Sequence, residues 1–175
     1  MDIVITDLDP RFKHEVAKEE GGERVKYCFQ CGTCTSGCPV SEIDSKYNPR
    51  CIIRMVILGM REQVLRSDFI WLCSTCYTCY ERCPQDVRIT EVMNALKNMA
   101  VREGYIHPAF RAQAELIGSH GRLYEIDEFT EEKREELGLA RLSGDIAEVA
   151  EIFKITGLAE LLSEASQEPV RTASA

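Results

Sequence analysis

Apolar residues along this chain recur every three or four positions and almost never alternate, so the pattern predicts helices. In NPRCIIRMVILG, Ile52, Ile53, Val56 and Ile57 share one helical face. Asn48 suits the cap of that helix, Pro49 its first position and Gly59 its end. A stronger helix follows in TEVMNALKNMAVREG, with Thr90 as cap, Val92, Leu96 and Met99 as the inward stripe, and Gly104 as the stop. Pro108 opens another in HPAFRAQAELIGSHG, where Phe110, Ala114 and Ile117 fall on one face. Upstream, DPRFKHEVAKEE predicts a short helix capped by Asp9, with Phe12 and Val16 inward and Gly21-Gly22 as its break. REQVL and SDFIWLC predict short helical turns, and GDIAEVAEIFKITG an amphipathic helix with Ile146, Val149 and Phe153 together, which LAELL extends. MDIVI reads as a small strand and SQEPVRTASA as a disordered tail. Core packing accounts for these stripes, and the fold class is mainly α.

Composition narrows the function classes. At 175 residues and 45% hydrophobic the chain can fill one real core. A formal net charge of −8 and a pI near 5.0 leave no nucleic-acid footprint. No apolar stretch approaches the length of a membrane span, since IIRMVILGM is interrupted by Arg54 and FIWLC is short. MDIVITDLDPRF has no basic stretch followed by an apolar one, so no signal peptide is expected. Nine cysteines, an odd number in two dense runs, do not look like a spread disulfide framework. The expected compartment is a reducing cytoplasm, where clustered cysteines are metal ligands more often than disulfides.

Those runs are an internal repeat. Cys28, Cys31, Cys34 and Cys38-Pro39 map onto Cys73, Cys76, Cys79 and Cys83-Pro84 at a constant offset of 45, and Thr33 maps onto Thr78. Each reads C-x2-C-x2-C-x3-C-P, the bacterial two-cluster ferredoxin spacing in which the fourth cysteine ligates the other cluster. Three close cysteines can wrap three corners of an iron–sulfur cubane. The residue before proline is held extended, which leads the chain away from its own cluster. The expectation is therefore two [4Fe–4S] clusters, one on Cys28, Cys31, Cys34 and Cys83 and the other on Cys73, Cys76, Cys79 and Cys38. Structural zinc is the competitor, but its knuckles usually supply two ligands each. Cys51 is left over and is expected to be a small, partly buried side chain.

The remaining chemistry is sparse. Between the runs Lys46, Arg50, Arg54, Arg61 and Arg66 face only Glu62. Such cations could raise a cluster's reduction potential, form a solvated basic face, or dock an acidic partner. EIDEFTEEKREE carries seven carboxylates and two bases, expected to be a solvated face, with partner docking as the alternative. His14, His107 and His120 are isolated, and no dinucleotide, P-loop or nucleophile motif is visible. Two coordinatively full clusters without a catalytic constellation describe an electron relay and not a catalyst.

CFQCGTCTSGCPV, YNPRCIIRMVILG and CPQDVRITEVMNALKN resemble the iron–sulfur C subunit of the heterodisulfide reductase of methanogenic archaea and relatives, densely from Tyr27 to Ala109 and weakly at both ends. Where relatives often carry a basic residue after NPR, this chain has Cys51. The resemblance implies an alpha-helical ferredoxin-like domain over residues 27–121 binding two [4Fe–4S] clusters, with an N-terminal extension at 1–26 and an acidic helical extension and tail at 122–175. It also implies partners, the A and B subunits of the same reductase. The flavin-containing A subunit takes electrons from hydrogen or formate, the C subunit passes them singly, and the B subunit reduces the mixed disulfide of coenzymes M and B. A hydrogenase or formate dehydrogenase completes the larger assembly. Similar modules serve succinate-, fumarate- and glycolate-type oxidoreductases, but those usually carry a plant-type [2Fe–2S] domain or fused CCG domains, which this chain lacks. A metal-stabilised structural adaptor is the reading from another class.

Overall fold

The computed structural model describes residues 5–142, 144 and 146–164, which fall into two compact units meeting in sequence at Tyr105 and Ile106. Both are helical, and no strand occurs among the described residues. The strand expected at MDIVI and the SQEPVRTASA tail lie outside them, except that Ile5 opens a 3-10 turn, Ile5–Asp7.

In the first unit the chain forms α1 (Phe12–Val16), a 3-10 turn (Val25–Tyr27), α2 (Thr33–Ser36), α3 (Pro39–Ile43), α4 (Pro49–Leu58) and α5 (Arg61–Leu65). A second 3-10 turn (Phe69–Leu72), α6 (Thr78–Glu81) and α7 (Ile89–Arg102) complete it. α4 and α7 are the two long helices of this unit, and each turns its predicted stripe inward: Ile52, Ile53 and Val56 from α4, with Ile57 only partly buried, and Val92, Leu96 and Met99 from α7. α1 packs on both, driving Phe12 and Val16 into the same core as Val64, Leu65 and Ile70. Each such side chain contributes about 1.5–3 kcal/mol by leaving water. The segment before the first cysteine run is thus part of the core.

Gly59 holds that segment in place. It ends α4 at φ 84°, a left-handed conformation that costs a side-chain-bearing residue energy, and its carbonyl accepts the Asp9 N–H at 2.8 Å. A Cβ there would collide with the Asp9 carbonyl. Arg61 adds a polar tie, pairing with Glu15 of α1 and with Glu103 just past α7 while its guanidinium stacks 5.3 Å from the Phe12 ring centroid.

The second unit holds α8 (Pro108–His120), α9 (Glu128–Glu136), α10 (Ala147–Ile155) and α11 (Leu158–Glu164). α10 packs on α8 and α11, and Gly118 leaves room for the Phe153 ring, which a Cβ would meet at 3.2 Å. None of this unit's described residues is buried. The unit begins with α8, which carries the stripe of Phe110, Ala114 and Ile117 and packs against α10.

Candidate metal centres

α2 and α6 occupy equivalent places in the two cysteine runs and pack against each other. Around them lie two recesses. The first is lined by Cys28, Cys31, Cys34 and Cys83; the second by Cys38, Cys73, Cys76 and Cys79. The last cysteine of each run therefore meets the first three of the other. Local backbone explains the crossing for Cys38, which sits extended at φ −86°, ψ 118° ahead of Pro39 at the start of α3.

The repeat extends to the backbone. Gln30 and Thr75, 45 residues apart, have φ of 65° and 52°, and Gly32 and Tyr77 have 88° and 61°. Left-handed residues on either side of the middle cysteine curl each run into a concave loop, which gathers peptide N–H groups toward an anionic guest. Glycine takes this conformation freely. Tyr77 does so at a cost of order 1–3 kcal/mol.

Hydrogen-bonding groups line both recesses. Thr33 Oγ1 lies 3.3 Å from Cys31 Sγ and Thr78 Oγ1 3.5 Å from Cys76 Sγ, and each hydroxyl holds its exposed thiol below the usual range. Gln30 Nε2 donates to Cys28 Sγ, and the Val87 N–H to Cys83 Sγ, both at 3.3 Å. Burial acts the opposite way deeper in, raising Cys28 and Cys79 and pushing Cys34 up to about 11. A metal centre seated here must displace protons from these inner thiols, so its binding and the fold are coupled.

Thr90 is not the helix cap that its position suggested. α7 begins at Ile89 after a left-handed Arg88, and the buried Thr90 hydroxyl instead sits 3.3 Å from Cys79 Sγ. Sequence reasoning also passed over Tyr47 and Lys97. Tyr47 is buried in the lining of the second recess with Cys38, Cys73 and Cys79, and half-buried Lys97 donates to the Cys73 carbonyl at 3.4 Å. Neither has a local signal, because Tyr47 follows a largely polar stretch and Lys97, between Leu96 and Asn98 on α7, reads from sequence as an ordinary solvent-facing lysine.

Cys51 lines neither recess and is exposed, not partly buried as expected. It faces outward in the first turn of α4 while its neighbours Ile52 and Ile53 take the core. Asn48 does cap that helix: its Oδ1 accepts the Cys51 N–H at 3.0 Å and the Thr35 hydroxyl at 2.9 Å. Thr35 Oγ1 in turn accepts the Arg50 N–H at 3.1 Å, fastening α2 to the start of α4. Of the five bases between the runs, Arg50 alone lines a recess, the first. Arg61 and Arg66 pair with carboxylates. His107 caps α8 through Nδ1, which accepts the Ala109 N–H at 3.2 Å.

The residues present suit iron–sulfur cubanes. Each recess gathers four unbridged cysteines around a void. Among the described residues, no three His, Cys, Asp or Glu side chains meet closely enough to hold one mononuclear ion. No described helix is long and apolar enough to cross a membrane.

Residues 24–87 match the family model of the 4Fe-4S dicluster domain. The chain is 35% identical over 163 residues to the C subunit of the H(2):CoB-CoM heterodisulfide,ferredoxin reductase of Methanothermobacter marburgensis, covering 89% of this chain and 87% of that one. It is 36% identical over 170 residues to the iron-sulfur C subunit of the CoB–CoM heterodisulfide reductase of Methanopyrus kandleri, covering 89% and 88%. Against the C subunit of the ferredoxin:CoB-CoM heterodisulfide reductase of Methanosarcina mazei the identity is 46% over 118 residues, covering 67% and 72%. With four thiols converging in each of two recesses and relatives matched across most of both chains, this protein belongs to the family of heterodisulfide reductase C subunits.

Proposed function

We propose that this chain is the electron relay of a heteromeric, cytoplasmic heterodisulfide reductase, holding two [4Fe–4S] clusters on Cys28, Cys31, Cys34 with Cys83, and on Cys73, Cys76, Cys79 with Cys38. The observation that carries the reading is the lining of the two recesses, where the crossed sets stand together. When bound, the clusters supply one-electron storage and release. The chain's own part is to bind and orient them. Cys28, Cys34 and Cys79 approach from the protein side, whereas Cys31 and Cys76 lie at the open edge of their recesses. Both sites thus have an edge that another protein can approach, as a relay between two partners needs.

By likeness to its relatives, the proposed donor is the flavin-containing A subunit and the acceptor the B subunit, which reduces the coenzyme M–coenzyme B disulfide. A hydrogenase or formate dehydrogenase would feed the flavin-containing partner. The chain itself offers no catalytic residue in this scheme. An anaerobic structure of the loaded protein tests the ligand sets by showing which iron each sulfur touches. Cys38 bound to the same cubane as Cys28, Cys31 and Cys34 would refute the crossing. An anaerobic native pull-down tests the partners, and recovery of a succinate- or glycolate-type dehydrogenase would overturn the assignment.

A further inference from the structure

The two recesses differ in what surrounds them beyond the repeat. Thr33 on Cys31 and Thr78 on Cys76 are equivalent and cancel. The first recess adds Gln30 on Cys28, the Val87 N–H on Cys83 and, at 4.0 Å from Cys34 Sγ, Thr35 Oγ1, whose proton goes to Asn48 Oδ1 instead. Its cation, Arg50, has an exposed side chain, so water screens much of its charge.

The second recess receives three groups from outside its cysteine run. Tyr47, 2% exposed, lines the recess together with Cys38, Cys73 and Cys79. Thr90, 1% exposed, sets Oγ1 3.3 Å from Cys79 Sγ. Lys97, half-buried on α7, reaches the Cys73 carbonyl at 3.4 Å. None has a counterpart across the 45-residue repeat. The positions equivalent to Thr90 and Lys97 are Ser45, which is exposed, and Ile52, which is core, while Tyr47 corresponds to Val92, also core.

Reduction adds one negative charge to a cluster already carrying four thiolates. Against thiolate sulfur a hydroxyl can only donate, and both donors and a nearby cation favour the more negative state. Those interactions strengthen where protein replaces water. Tyr47 and Thr90 are buried and Lys97 is partly so, and all three surround the same site.

We infer that Tyr47, Thr90 and Lys97 make the Cys38–Cys73–Cys76–Cys79 site the higher-potential one of the pair, so that an electron shared between the sites rests there. The transfer balances as a one-electron step: the cluster of the first site is oxidised by one electron as that of the second is reduced by one. The inference rests on the two-site reading above and adds a direction to it. These three residues touch the site's ligands and act through them, so they are positioning residues for its charge.

The test is an EPR-monitored redox titration of the full-length, anaerobically loaded chain. The second-site signal is the one that Cys76→Ser alters or abolishes. In the unsubstituted protein its midpoint should be the more positive of the two. Lys97→Met should lower it by about 59 mV, a tenfold change in how one electron divides between the sites. Tyr47→Phe keeps the ring and loses only the hydroxyl, so it should shift the same midpoint downward by less. The first-site midpoint should hold still in both variants. A second-site midpoint at or below the first, or one that neither variant moves, overturns the inference while leaving two clusters in place. Equal shifts of both midpoints overturn it as well. Iron far below about eight per chain, or a single signal, would instead sink the two-site reading and this inference with it.

Discussion

Asn48→Ala removes one side chain from the junction that fastens α4 to the first cysteine run. Two hydrogen bonds end on Asn48 Oδ1, from the Cys51 N–H at 3.0 Å and from the Thr35 hydroxyl at 2.9 Å. Losing a helix cap costs about 1 kcal/mol. The Thr35 hydroxyl, half-buried beside Cys34, loses its acceptor as well, which adds on the order of 1 kcal/mol. The sum of roughly 2 kcal/mol corresponds to a fall in melting temperature of about 10 °C for a unit of this size. Asn48→Asp separates the two causes of a loss, since a carboxylate keeps the acceptor and suits a helix N-terminus. The assay is thermal melting of the anaerobically loaded protein, followed by far-UV circular dichroism, with iron release recorded in parallel. Alanine should melt low and lose iron early, and aspartate should track the unsubstituted protein. Equal melting of all three, or an aspartate variant as weak as alanine, would refute the claim that this acceptor holds α2 to α4.

Three further outcomes are expected. Cys51→Ser should leave iron near about eight per chain while Cys38→Ser lowers it, measured by colorimetric iron assay; equal loss in both would mean that the exposed ninth cysteine has been misassigned. Gly59→Ala should cost more than about 2 kcal/mol, because it adds a left-handed alanine to a collision with the Asp9 carbonyl. Limited proteolysis should then open the chain before Cys28, and an unchanged digestion pattern would count against the lock. The loaded chain alone, given a chemical reductant, should not reduce the heterodisulfide of coenzymes M and B; turnover at partner-free purity would end the relay assignment.

Much of this architecture was legible because helical periodicity and proline geometry are local. The stripes of α4 and α7 and the cap at Asn48 follow from spacing alone, and all but the half-buried Ile57 are buried or bonded as the pattern requires. The placing of Cys38 beside the second run's cysteines was legible for the same reason, since an extended residue before proline steers the chain away whatever surrounds it. What escaped depends on tertiary contact. Thr90 looks like a cap from its neighbours, but Arg88 turns left-handed and delivers the hydroxyl to Cys79. Tyr47 reaches the second recess from a segment with no periodicity, and Lys97 belongs to a helix whose pattern speaks only for its apolar face. Cys51 was misjudged because burial of a small residue depends on which side of one turn it occupies.

The core contributed by α1 and α7 separates what is inherited as a motif from what folds as a body. The matched domain spans residues 24–87, and both helices lie outside it. Yet Phe12, Val16, Val92, Met93 and Leu96 are all fully enclosed. An excised fragment cut at the motif's edges would keep every cysteine and expose the apolar seats those side chains fill. For grafting this electron-carrying module into another scaffold, the smallest transplantable piece therefore runs from about Asp9, where Gly59 grips the backbone, to Tyr105, where the first compact unit ends.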